Sequence, residues 1–185
     1  MDTKITLVSG WDNVKKAALY TVGKTKVVNE PTKEWIFKML QLEHSPIREY
    51  IIHIEVKGIK YWIANHLRTH FIGCNSYIST SREDRNDKVE NRDELPQGDL
   101  VNCLFSINAQ ELINISRKRL CMINPHPETR VVWQTIVNEI IKQEPLFEAF
   151  LKPECFYRNG YCPDGNNCFK KTFTIKNFLK KIIGK

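Results

Sequence analysis

From residue 50 to residue 57 apolar and polar side chains alternate. Ile52, Ile54 and Val56 face one way; Ile51, His53, Glu55 and Lys57 face the other, the period of a strand with one polar face. Gly58 breaks that run. Ile59, Trp62, Ile63 and Leu67 then recur at helical spacing over residues 59–68. Upstream, residues 3–9 predict a short strand, and Val14, Ala17, Ala18 and Thr21 mark a helix over 12–21. Gly23 and Pro31 bracket a turn region. Thr32 is placed to cap a helix carrying Trp35, Ile36, Met39, Leu40 and Glu43, which Pro46 stops.

In the second half, residues 82–98 are almost wholly polar and predict a surface loop of the kind that closes over a ligand, or a plain solvated connection. Residues 99–107 read as another strand. Asn108, with Glu111 three residues later, resembles a capping box and starts a helix that runs to about Cys121 and carries Arg117 and Arg119. The turn Asn124-Pro125-His126-Pro127 separates it from a long helix over 128–143, whose apolar stripe is Val132, Trp133, Ile136, Val137, Ile140 and Ile141. Pro145 ends that helix. Helices alternating with a few strands predict an α+β domain.

Composition narrows the setting. A chain of 185 residues with 42% hydrophobic content supports a real core, in one domain or one domain with an appendage. No apolar run approaches the roughly 18 residues of a membrane span. The N-terminus lacks a basic head followed by an apolar block, so a cytoplasmic location and no membrane partner are expected. Of the net charge of +7, six lysines (Lys170, Lys171, Lys176, Lys180, Lys181 and Lys185) fall in the last sixteen residues, with no acid among them. Such a tail either binds polyanions or forms a solvated amphipathic helix with Phe173, Ile175, Phe178, Leu179 and Ile182 inward.

The six cysteines are expected to be reduced. Cys74 and Cys103 stand singly in apolar surroundings and read as small buried side chains. Cys155, Cys162 and Cys168 fall within fourteen residues interleaved with Gly, Asn and Pro. With Cys121 as a fourth thiolate they make a candidate structural zinc site; the other reading is three free thiols in a loop. The spacing is near that of CCCH RNA-binding fingers, with Thr172 where their histidine would stand.

The densest chemistry lies at the end of the 59–68 helix. Asn65, His66, Arg68 and His70 are followed by a loop rich in Ser, Thr and Arg. Nitrogen donors, hydroxyls and guanidinium groups delivered from a packed element suit a phosphorylated ligand.

Taken together, these segments resemble the flavin-dependent thymidylate synthases, the ThyX family. The resemblance begins at Ala17-Ala18-Leu19-Tyr20-Thr21 and continues through Ser45-Pro46, Gly58 and the Asn65–Arg68 helix end. It resumes at Ser106-Ile107-Asn108-Ala109 and the helix to Arg119. Residues 5–150 are covered with element order and spacing preserved. The family's signature is Arg-His-Arg followed by seven residues and a serine. Here the triplet is Arg68-Thr69-His70, and the loop beyond is about two residues longer, so the family's Ser-x-Arg falls near Ser79-Thr80-Ser81-Arg82.

The resemblance implies a ThyX-like α+β fold over 1–150, with a small, mostly antiparallel sheet packed by helices. A Cys-rich C-terminal extension with the basic helix follows over 151–185. It implies FAD-dependent methylation of dUMP at C5, with methylenetetrahydrofolate and NADPH as co-substrates, in a homotetramer. Asn65, Arg68, Ser79, Ser81, Arg82 and Arg119 would bind the nucleotide, with Arg119 at the pyrimidine as the catalytic group. Thr21, Ser45, Arg68, His70, Asn108 and Asn114 would contact the flavin. Gln110 replaces a family arginine, Glu43 a family histidine and Arg48 a family glutamate. The altered triplet also permits another C5 modification, such as hydroxymethylation. The reading from a different class is a nucleic-acid-binding protein using the Cys cluster and lysine tail; the nucleotide pattern argues against nucleic acid as the partner.

Overall fold

The computed structural model describes residues 1–26, 29–87 and 91–166. Strands β1 (Asp2–Ser9), β2 (Ile51–Lys60), β3 (Cys74–Ile78) and β4 (Leu100–Asn108) form one antiparallel sheet in the order β1-β2-β4-β3. The helices are α1 (Trp11–Tyr20), α2 (Lys33–Gln41), α3 (Tyr61–Arg68), α4 (Ala109–Arg119), α5 (Pro127–Gln143) and the single turn α6 (Glu154–Tyr157). This is the expected α+β class. No helix among the described residues is long and apolar enough to cross a membrane. Cys168 and the basic helix expected at the C-terminus lie outside the described residues.

One face of the sheet is dry. Ile52, Ile54 and Val56 of β2 and Val101, Cys103, Phe105 and Ile107 of β4 are buried, as their alternation requires. They join Leu112, Ile113 and Ile115 of α4 and Val132, Trp133, Ile136, Val137 and Ile140 of α5 in a single core. Within it a polar contact between helices runs from Trp133 Nε1 to Ser116 Oγ at 3.0 Å, so a buried indole donor has its acceptor. At the other end Trp11 stacks near Tyr50, with ring centroids 4.4 Å apart, and donates to Glu144 Oε2 at 2.7 Å.

Several local expectations are met, and others are corrected. Thr32 caps α2 by accepting from Trp35 N, and Asn108 caps α4 by accepting from Glu111 N at 2.9 Å. Gly58 does not end β2. It takes φ +70°, and the register of β2 on β4 shifts between Val56 and Ile59, so the glycine bends the strand as a bulge and pairing resumes to Lys60. The hydroxyl-rich stretch after His70 is not all loop. Cys74–Ile78 is an edge strand, because β4 offers a free ladder edge that local composition does not reveal. The helix after Thr32 ends at Gln41, and Glu43 sits beyond it in the left-handed region at φ +47°.

Asn108 joins these pieces. Its backbone N–H donates to Gly73 O at 3.0 Å, and Ala109 N donates to Tyr50 O at 2.9 Å. Gly73 takes φ +81°, and a Cβ there would lie 2.5 Å from Asn108 Nδ2. Gly73→Ala therefore combines backbone strain with a clash against the helix cap, and should destabilise the fold by roughly 1–3 kcal/mol, read as a lower midpoint in urea. An unchanged midpoint would show that the junction yields freely.

Burial pushes the thiols of Cys74 and Cys103 up from 9.0 to about 11. For Cys74, Ser76 opposes that shift and the Glu111 carboxylate adds to it. Both folded-state values exceed the unfolded one. Their contribution to stability is thus full below about pH 9 and is lost as pH rises through about 11. Urea midpoints should fall across that window, and less steeply in Cys103→Ala than in the parent chain.

Candidate functional site

The site is built where α3, β3 and α4 meet. The first amides of α3 are tied to the polar loop: Tyr61 N donates to Asp99 O at 2.8 Å and Trp62 N to Gln97 O at 3.2 Å. Such donors lack partners inside a helix, so the loop completes the helix start and fixes where its far end points. That end presents Arg68. The residue is exposed and lines two adjoining cavities.

The first cavity, about 410 Å³, is bounded by Arg68, Ser79, Thr80, Ser81, Arg82 and Arg92, with Tyr61 and Gln97. Four of the residues expected to hold a nucleotide are thus brought together, and Arg92 is an addition from the polar loop. Arg92 carries no signal in the sequence beyond being one cation in a charged run. Two of the four already have partners. Ser79 Oγ accepts from Asn102 N at 3.0 Å, which extends the β3–β4 pairing by one bond but leaves its own proton to donate. Arg82 makes a two-point contact with Asp84, Nε to Oδ1 at 2.9 Å and Nη2 to Oδ2 at 2.7 Å. Both side chains are more than half exposed, so that pair is readily exchanged for another anion. The second cavity is bounded by Asn65, Arg68, Thr69, Cys74, Asn75 and Ser76 among others.

Thr69 links this region to Arg119. The Arg119 guanidinium donates from Nη2 to Thr69 Oγ1 at 3.2 Å and to His66 O at 2.6 Å, and from Nε to His70 Nε2 at 3.1 Å. Neither Glu111 nor Glu128 pairs with it; Glu128 is taken by Lys60 at 2.7 Å. Burial draws the Arg119 pKa down from the ordinary arginine value. Arg119 and His70 line a third cavity of about 370 Å³, together with Lys118, Cys121, Asn124, Cys155, Cys162 and Asp164.

That cavity gathers three of the four cysteines expected at a zinc site. Cys155 and Cys162 are buried, Cys121 is half-buried, and none is in a disulfide. Among the described residues, however, no three His, Cys, Asp or Glu side chains are grouped closely enough to hold a metal ion.

Other expected cofactor contacts have structural partners. Asn108 is the α4 cap. Asn114 Nδ2 donates to Glu111 Oε2 at 3.0 Å. Thr21 Oγ1 donates to Ala18 O at 2.7 Å, and Ser45, itself exposed, begins the turn that buries Pro46 and Ile47. None of these four lines the three cavities.

Two residues that depart from the ThyX pattern meet in a way that nothing in the sequence signals. Gln110 Nε2 donates to Glu43 Oε2 at 2.6 Å, and the other Glu43 oxygen pairs with Arg117. Arg117 is also 4.0 Å from Glu154 and lies 4.0 Å over the Tyr157 ring. A cation stacked on one side and paired on the other is thereby the fastening between α4 and the segment after α5. Glu111, half of the expected capping box, does not turn back to the Asn108 amide, which Gly73 O already occupies. Its carboxylate faces His70 Nδ1 at 3.5 Å instead.

No protein-family model matches the sequence, and no curated protein matches it. Solved structures do match. Thymidylate synthase X (ThyX) from Helicobacter pylori, with FAD and dUMP, superposes at TM-score 0.63 and 14% identity over 82% of this chain and 100% of that one. The chain has the ThyX fold. The UMP/dUMP methylase PolB from Streptomyces cacaoi, bound with 5-Br dUMP, matches at TM-score 0.61 and 16% identity over 82% of this chain and 97% of that one. At these identities what is shared with ThyX is the architecture, and function has to be argued from the side chains.

Arg117 gives a direct check on the fastening. Arg117→Leu strands Glu43, about a quarter exposed, without its cation, while Glu154 keeps Arg158 at 2.8 Å. It should lower stability by about 2–4 kcal/mol in urea titration. Arg117→Lys should recover less than half of that loss, because an ammonium cannot stack flat on Tyr157 while bonding Glu43.

Proposed function

We propose that the chain is a flavin-dependent enzyme that methylates dUMP at C5. The observation that carries this reading is the ring of Arg68, Arg82, Arg92, Ser79 and Ser81 around one cavity, in a fold whose solved examples hold FAD and dUMP. Planar guanidinium groups and hydroxyl donors are the chemistry that a phosphomonoester or a diphosphate requires.

The donor set fits FAD at Arg68. Its exposed guanidinium has no carboxylate partner among the described residues and stands between two cavities large enough to divide phosphates from a ring system. FAD, when bound, supplies the hydride, obtained from NADPH, that converts the carbon donated by methylenetetrahydrofolate into a methyl group. Residues of this chain then act by position. Arg68 and Arg82 hold phosphate charge, Asn65 offers an amide to the nucleotide, and Arg119 presents its remaining N–H groups to the pyrimidine. Fixed donors of this kind favour the charge that develops on a uracil carbonyl as C5 becomes nucleophilic. Asn108 and Asn114 reach a flavin only with the groups left over from the α4 cap and from Glu111. Homotetramer assembly belongs to the same reading and is supported by the exposed apolar pair Phe71 and Ile72 beside His70.

The test is a flavin spectrum. The purified chain should bind FAD, and dUMP should then perturb the flavin absorption bands. Arg68→Ala should weaken dUMP binding by at least about tenfold, the scale of one charged hydrogen bond. Absence of both FAD and dUMP binding overturns the proposal. Product analysis with dUMP, methylenetetrahydrofolate and NADPH separates methylation from hydroxymethylation.

A further inference from the structure

We propose that His70 is a positioning residue for Arg119, held in one tautomer by Glu111. The inference rests on the reading above only in giving Arg119 a nucleotide to meet; the contact itself is a property of the chain.

Arginine Nε carries a hydrogen and can only donate. At 3.1 Å from it, His70 Nε2 must therefore be the acceptor, with its lone pair toward α4. A neutral imidazole with a bare Nε2 carries its proton on Nδ1. That nitrogen faces Glu111 Oε1 at 3.5 Å, long for a hydrogen bond but close enough for the carboxylate to favour a proton there. An imidazolium has protons on both nitrogens and could not accept from Arg119 at all.

Glu111 is itself fixed. It is 5% exposed, its backbone N–H is bound by the Asn108 cap, and its second oxygen accepts from Asn114 Nδ2 at 3.0 Å. The order of constraint runs from the α4 cap to Glu111, to His70, to Arg119. Two further acceptors, His66 O and Thr69 Oγ1, take Nη2. With Nε and Nη2 engaged, the guanidinium plane is set, and Nη1 is the end without a hydrogen bond among the described residues. His70 comes from the turn after α3 and Arg119 from the end of α4, so the bond also fixes the distance between the two elements that carry the site. Thr69 and His70, the two residues that depart from the Arg-His-Arg pattern, are both partners of Arg119. The departure thus exchanges an arginine for an acceptor of one.

The experiment is side-chain nitrogen NMR on the full chain, followed by dUMP titration of variants. His70 should show the tautomer protonated at Nδ1, and the Arg119 Nε–H should exchange slowly with solvent. In His70→Gln, whose amide oxygen can accept near the Nε2 position, slow exchange should persist. His70→Leu, which has no acceptor, should lose it. Affinity for dUMP should stay within about threefold in His70→Gln and fall by at least about tenfold in His70→Leu. Both variants must match the parent chain in circular dichroism. Should His70→Leu fail to fold, Glu111→Gln takes its place, with the expected result a loss of the single His70 tautomer.

A tautomer protonated at Nε2, or an Arg119 Nε–H equally protected in His70→Leu, overturns the proposal. So does equal loss of dUMP affinity in His70→Gln and His70→Leu with the exchange results unchanged between them. If the parent chain binds no dUMP, the proposed function fails, and the NMR arm alone decides the role of His70.

Discussion

At Asn108 the central strand β4 turns directly into α4, with no linker between them. Three bonds are made within two residues: the Asn108 amide to Gly73, its side chain to the Glu111 amide, and the Ala109 amide to Tyr50. A strand end, a helix start and the turn after α3 are thereby fixed to one another. This junction sets where everything polar on α4 points, because a helix fixed at its first turn presents residues three and four apart along one side. Glu111 and Asn114 face one another for that reason, and Arg119 arrives two turns later beside His70. Without Gly73 in the left-handed region, Asn108 could not approach so closely.

Glu111 and Glu43, two of the carboxylates that meet α4 side chains, do different work. Glu111 orders neutral and cationic groups toward the cavity through His70. Glu43 fastens a cation into the framework, holding Arg117 against Tyr157 and the chain after α5. Neighbouring arginines on one helix are thus separated in task by whether a carboxylate pairs with them. Arg117 becomes part of the framework, while Arg119, bonded only to neutral acceptors, keeps its positive charge uncancelled by any ion pair among the described residues.

Much of the fold is legible in the order of the residues. The alternation of Ile52, Ile54 and Val56 and the stripe from Val132 to Ile140 mark the dry faces, because burial enforces those periods. The caps at Thr32 and Asn108 can be read because the chemistry is local. What cannot be read depends on distant partners. β3 exists because β4 has an edge to pair, and nothing within Cys74–Ile78 announces it. Gly58 resembles a stop because a lone glycine has the same signature whether a strand ends or bulges. In the site, Arg68, Ser79, Ser81 and Arg82 are recognisable as a group because they lie close along the chain, on either side of β3. The Glu43–Gln110 contact and the Glu111–His70–Arg119 series span many residues and leave no periodicity.

Glu43, Gln110 and Arg117 carry a consequence for which single substitutions the chain can absorb. The resemblance to ThyX places a histidine at the first position and an arginine at the second, but the contact observed here is a carboxylate shared between an amide and an arginine two turns along the same helix. Restoring arginine at 110 alone would set two guanidinium groups on one carboxylate. Restoring histidine at 43 alone would leave Arg117 without its nearest counter-charge. Either single substitution therefore leaves a frustrated cluster, so the effects of changes at 43, 110 and 117 are expected not to add.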